Sequence, residues 1–89
     1  MWLLGLFAEQ FLYLQINHTK MWVKELGIVI KNRRNALRIT QPYLAELAQI
    51  SVNTLYKLER GEANPTLDVL EKLADVLGLE LKIEVKKTL

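Results

Sequence analysis

Eighty-nine residues allow one small domain, with a core near the lower limit for independent stability. Half are apolar and a quarter charged, the composition of a globular chain, and a formal net charge of +2 does not by itself argue for a polyanionic partner. No cysteine is present and the single histidine, His18, has no patterned partner. Disulfide frameworks and cysteine-based metal sites are therefore excluded, and no nucleophile, base and metal-ligand set is spaced to converge; no enzyme, cofactor or metal is expected.

Residues 1–20, MWLLGLFAEQFLYLQINHTK, are apolar and aromatic, interrupted by Glu9 and Gln10. The run lacks the basic start and small-residue cleavage site of a secretory signal and is too short and too polar for a membrane span. Three readings stay open. The segment is an added helix that packs through Leu3, Leu4, Phe7, Phe11 and Leu14, an interfacial helix without the usual basic face, or an upstream addition to a natural start at Met21.

From Glu25 to Leu37, the apolar positions Leu26, Val29, Ile30 and Leu37 follow helical spacing, with Arg33 on the same stripe. Thr40 then caps a second helix, with Pro42 in the first turn, where a missing N–H costs nothing, and Leu44, Ala45, Leu47 and Ala48 on the expected inner face. Gln49 stands in a turn, and Ser51 caps a third helix over residues 52–60. Leu55 and Leu58 face inward there, which turns Val52, Asn53, Tyr56 and Lys57 outward, and Gly61 ends the helix.

Thr66 caps a fourth helix with the stripe Leu67, Leu70, Leu73, Ala74 and Leu77, closed by Gly78. Leu79, Leu81, Ile83 and Val85 then alternate with Glu80, Lys82, Glu84 and Lys86, the pattern of a strand. A lone strand cannot satisfy its own hydrogen-bonding edges. With no second convincing strand in the chain, the expected partner is the same strand of another copy in a two-fold dimer.

Charge is unevenly spread. Six basic residues (Lys31, Arg33, Arg34, Arg38, Lys57 and Arg60) stand against two acids (Glu46 and Glu59) between residues 31 and 60. Between residues 62 and 75 there are four acids and one base. A phosphate-facing side is compatible with the modest total. Two short capped helices joined by a tight turn, the second with polar residues outward on this basic side, have the pattern of a helix-turn-helix.

Residues 26–81 resemble the Cro/repressor-type (XRE) helix-turn-helix family, and the match covers nearly two-thirds of the chain. The matching elements are Thr40-Gln41, Leu44-Ala45, Ala48, Ile50-Ser51, Thr54-Leu55, Leu58-Glu59, Gly61 and Pro65-Thr66-Leu67 through Leu77-Gly78-Leu79. The ending LGLELKIEV further looks like the HipB-type antitoxin branch. The resemblance implies a mainly α fold: a four- or five-helix repressor-like domain whose C-terminal β-strand pairs across a dimer. An extension over residues 1–24, a DNA-binding domain over 25–78 and a dimerisation strand with tail over 79–89 are expected.

The resemblance also implies roles. Gln41 corresponds to a phosphate-holding residue; Ser51, Val52, Asn53, Thr54, Tyr56 and Lys57 fall on the DNA-contacting recognition helix; Arg60 falls where phosphate contacts are common. Arg34 and Glu59 match a buried ion pair between the first and third helices, and Leu79, Leu81, Ile83 and Val85 match a dimerisation strand. Asn53 can pair with an adenine edge, Lys57 can donate to guanine, and Val52 can pack on a thymine methyl. The implied protein is a cytoplasmic dimeric repressor reading a palindromic operator, the antitoxin partner of a HipA-like kinase or a stand-alone repressor. The family commonly has glycine where Arg38 and Gln49 stand, so altered or strained turns are expected there.

Overall fold

The computed structural model describes residues 18–85, and within them four helices follow in order: α1 (His18–Ala36), α2 (Gln41–Ala48), α3 (Val52–Glu59) and α4 (Leu67–Leu77). The last three open on hydroxyl caps in extended backbone conformation. Thr40 accepts from the Tyr43 N–H, Ser51 from the Thr54 N–H and Thr66 from the Val69 N–H. Each cap satisfies one of the donors a helix start leaves open, worth about 1 kcal/mol.

All four helices end alike, on a residue in the left-handed region: Arg38 and Gln49 at φ 60°, Gly61 at 73° and Gly78 at 72°. In the first three, the following N–H reaches back to close the last turn, Ile39 to Arg34 (3.3 Å), Ile50 to Ala45 (3.0 Å) and Glu62 to Lys57 (2.9 Å). Leu79 does the same to Ala74 (2.9 Å) after α4. This closure satisfies carbonyls that would otherwise be orphaned at the helix end. Holding Arg38 and Gln49 there costs about 1–2 kcal/mol each, because their Cβ atoms crowd the backbone.

The core is one cluster: Ile30 from α1, Leu44, Ala45 and Ala48 from α2, Leu55 and Leu58 from α3, and Leu73 and Leu77 from α4. Removing a leucine-sized side chain from water contributes about 1.5–3 kcal/mol, and five leucines here are wholly enclosed. Helix α1 packs on α3 and α4, and α2 packs on the same two. At the α1–α3 crossing sits Gly27, where a Cβ would overlap the Leu58 carbonyl oxygen. Only a glycine lets the two backbones approach this closely.

Several expected boundaries and faces differ. Helix α1 begins at His18, ahead of Glu25, and runs unbroken through the boundary expected between residues 24 and 25. Its early turns lie along the end of α3, where Lys24 Cγ is 2.8 Å from the position of a Cβ on Gly61. Val29, Leu37 and Leu47, expected inside, are exposed, and Leu67 is 73% exposed. In α2 the inner face is Leu44, Ala45 and Ala48, and Leu47 falls to its flank. In α4 Leu67 overhangs the core, and Val69 and Val76 flank the stripe instead.

Among the described residues there are four helices, not five, and no strand. Residues 79–85 have no regular secondary structure, and among the described residues no strand edge is offered for them to pair with. Most of the expected extension, residues 1–17, lies outside the described residues. No helix among the described residues is long and apolar enough to cross a membrane.

Candidate nucleic-acid interface

Helix α3 has a two-sided character. Leu55 and Leu58 are fully enclosed, and on the other side Val52, Asn53, Tyr56 and Lys57 are all exposed. The residues best suited to reading base edges thus stand together on a face that the core does not use. Ser51 and Thr54 are partly committed to each other. The Ser51 hydroxyl accepts from the Thr54 N–H and donates to Thr54 Oγ1 (2.8 Å), which leaves the Thr54 hydroxyl hydrogen free to donate outward.

A buried polar network fixes how α3 sits. Arg34 Nε donates to Glu59 Oε2 (2.7 Å) and Arg34 Nη2 to Glu59 Oε1 (2.9 Å), a bidentate pair linking α1 to α3. Arg34 Nη1 also donates to the Ile39 carbonyl (2.9 Å), so the same guanidinium braces the turn into α2. Gln41 Nε2, at the start of α2, donates to Glu59 Oε1 (2.9 Å). Three helices therefore meet at one carboxylate. Burial alone would push that carboxyl's pKa up, but hydrogen bonds from Arg34 and Gln41, helped by the charges of Arg34 and Lys31, hold it below the ordinary value.

The Gln41 amide has two N–H donors, and Glu59 takes one. The other, together with the side-chain carbonyl, is available to a ligand at the N-terminus of α2. Glu59 thereby orients a residue whose expected role is phosphate contact.

The basic side is smaller than a linear count of charges suggests. Arg34 is buried in its pair, and Arg33 Nε donates to the Leu77 carbonyl (2.7 Å), where it caps the end of α4. Arg60 lies with its guanidinium carbon 5.4 Å from the centre of the Tyr56 ring and its Nε 3.0 Å from Glu62 Oε2. Lys31, Arg38 and Lys57 are exposed, form no ion pair among the described residues, and remain as the simplest cations for a polyanion. Sequence reasoning missed the Gln41–Glu59 bond, the Arg33 cap and Glu62 beside Arg60. The four-residue spacing of Tyr56 and Arg60 could have pointed to their contact.

Comparison with known proteins points the same way as this geometry. A helix-turn-helix family profile matches residues 30–83, more than half of the chain. A protein of Methanococcus maripaludis named as a putative HTH-type transcriptional regulatory protein is 38% identical over 55 residues, which covers 62% of this chain and 17% of the relative. The immunity repressor protein of Bacillus phage phi105 is 39% identical over 56 residues, 63% of this chain and 39% of the repressor. The CTXphi transcriptional repressor RstR of Vibrio cholerae is 36% identical over 52 residues, 58% of this chain and 46% of its own length. The chain thus spans less than half the length of each of these relatives. With the capped α2–α3 pair, the outward residues of α3 and the profile match in agreement, the chain belongs to the Cro/repressor-type (XRE) helix-turn-helix family.

Proposed function

We propose that the protein is a sequence-specific DNA-binding transcriptional repressor that inserts α3 into the major groove. The observation that carries this reading is the exposed row Val52, Asn53, Tyr56 and Lys57 on a helix whose back is locked into the core. Asn53 would read adenine and Lys57 guanine, while Gln41, Ser51, Thr54 and Arg60 hold the backbone at either end of α3. The names of the phage and Vibrio relatives as repressors support the direction of regulation.

A dimer completes the reading. Ile83 is 98% exposed and Val85 94%, and Leu81 is also exposed, so the apolar side of the alternating segment is unburied in one chain. Pairing residues 79–86 with the same segment of a second copy would cover that row and satisfy its edges. Two recognition helices about 34 Å apart would then read a palindromic operator in successive major grooves.

The test is a gel shift on the DNA upstream of the protein's own gene. The wild type should shift it at concentrations that leave unrelated duplex free. Asn53→Ala and Lys57→Ala together should remove the preference, since each base edge left unread forfeits about 1–3 kcal/mol of discrimination. Sequence-indifferent binding by the wild type, or an unaltered preference in the double variant, refutes the reading.

The HipB-like ending supports a finer role, that of an autoregulating antitoxin whose partner is a HipA-like kinase toxin. The repressor names of the relatives favour the stand-alone alternative. Co-expression with the neighbouring gene separates them: co-purification of a toxin-sized kinase-like protein supports the antitoxin, and its absence the stand-alone repressor.

A further inference from the structure

The end of α3 differs from the other helix ends in one respect. The residue after the left-handed position is apolar and half-buried against the core in three cases, Ile39, Ile50 and Leu79. After α3 that place is taken by Glu62, which is exposed. Its backbone is nonetheless as firmly placed as theirs. The Gly61 N–H donates to the Leu58 carbonyl (3.0 Å) and the Glu62 N–H to the Lys57 carbonyl (2.9 Å). The backbone of an acidic residue is thus fixed after the last turn of α3, where this kind of helix end ordinarily seats an apolar side chain.

From there Glu62 Oε2 takes the Arg60 Nε–H at 3.0 Å, and the Tyr56 ring flanks the same guanidinium. Carboxylate and phosphate oxygens use the same guanidinium N–H groups with the same geometry. We infer that Glu62 is an internal stand-in for a DNA phosphate: it occupies Arg60 in the free protein and must yield when the backbone arrives, lowering affinity for all duplexes without altering which bases are read. The inference rests on the DNA-binding function proposed for α3. Both side chains are about half exposed, so the exchange needs no unpacking of the core.

Fluorescence anisotropy tests it with two duplex probes, one selected by the wild type from a random-sequence pool and one unrelated duplex of equal length. Wild type, Glu62→Gln, Arg60→Ala and the double variant are titrated over a series of salt concentrations, after thermal melts have shown that all four are folded. Glu62→Gln should bind both duplexes about two- to fivefold tighter. The slope of log affinity against log salt should steepen by up to about one, because no freed Glu62 carboxylate then takes up a cation as Arg60 turns to the phosphate, while the ratio between the two duplexes stays the same.

In the Arg60→Ala background, Glu62→Gln should bring no gain. An equal gain there would mean that Glu62 acts as a distant charge, and the inference falls. It falls also if Glu62→Gln leaves the affinity unchanged or alters the ratio between duplexes. Wild type that selects no duplex at any salt overturns the DNA-binding reading and this inference with it.

Discussion

Replacing Glu59 by alanine should nearly unfold the domain, although no leucine or isoleucine of the core is touched. Arg34 and Glu59 are 9% and 8% exposed, so neither charge can turn to water once its partner is gone. The substitution deletes both hydrogen bonds from Arg34 and the one from Gln41, and it leaves a cation buried beside the Ile39 carbonyl. Breaking a buried pair on one side costs about 3–5 kcal/mol. A small domain has a total stability of about 5–15 kcal/mol, so the variant sits at the margin. At about 4–8 °C per kcal/mol for a domain of this size, the melting temperature should fall by at least about 12 °C. Thermal and urea unfolding followed by circular dichroism measure this directly. The combined substitution Arg34→Met with Glu59→Leu should recover most of the stability, since neither charge is then stranded. A cost below about 1 kcal/mol for Glu59→Ala, the value of an exposed pair, would refute the reasoning. So would a double variant as unstable as the sum of its singles.

The same carboxylate predicts a pH dependence. Its pKa in the folded protein is held below the ordinary carboxylate value, so the unfolded chain takes up the proton first as pH falls. Its contribution to stability is therefore complete above about pH 4.3 and disappears as pH drops through the folded value; urea midpoints measured across that range should decline in wild type and decline less in Glu59→Gln. Gly27→Ala should destabilise despite the better helix propensity of alanine. Overpacking costs about 1–3 kcal/mol against a gain of about 1 kcal/mol, and because the clash falls on the Leu58 carbonyl it should also weaken DNA binding by tilting α3, as urea unfolding and anisotropy would show together.

The parts of the fold that are legible in the sequence are those written in local chemistry. Thr40, Ser51 and Thr66 are caps because a short hydroxyl side chain can reach an N–H two or three residues on, and this needs no knowledge of the rest of the chain. Leu55 and Leu58 can be placed inward, and Asn53 and Lys57 outward, because α3 is short and its two faces differ sharply in polarity. Leu47 and Leu67 defeat the same reasoning, because periodicity gives the direction of a stripe but not where the neighbouring helix stops covering it. A linear tally overcounts the basic side for a related reason. Arg33, Arg34 and Arg60 look alike in it, yet their partners Leu77, Glu59 and Glu62 are set by the tertiary fold or a turn. Gly27 carries a usable signal, since a glycine inside a helical pattern asks for a close approach, but which backbone approaches is decided only by the packing of α1 on α3.

The turns on either side of α2 bear on how α3 is held. Arg38 and Gln49 keep strained left-handed conformations at about 1–2 kcal/mol each, and each is followed by an isoleucine packed against the core. Full burial of such a side chain contributes about 1.5–3 kcal/mol, so partial burial of Ile39 and Ile50 is enough to offset much of the strain. The start of α3 is thus fixed by packing through Ile50, and its last turn by the carboxylate of Glu59, where Arg34 and Gln41 converge. At Gly61 and Glu62 the chain has neither constraint. Gly61 adopts the left-handed conformation without strain, and the Glu62 side chain is exposed rather than packed on the core. A ligand that rearranges Arg60 and Glu62 therefore works against one exposed ion pair, whereas a ligand that moved α3 as a whole would have to break the Arg34–Glu59 bond. The orientation of the proposed base-reading face is set by the core, and on the proposed Arg60–Glu62 exchange the strength of the grip changes at the end of the helix without disturbing it.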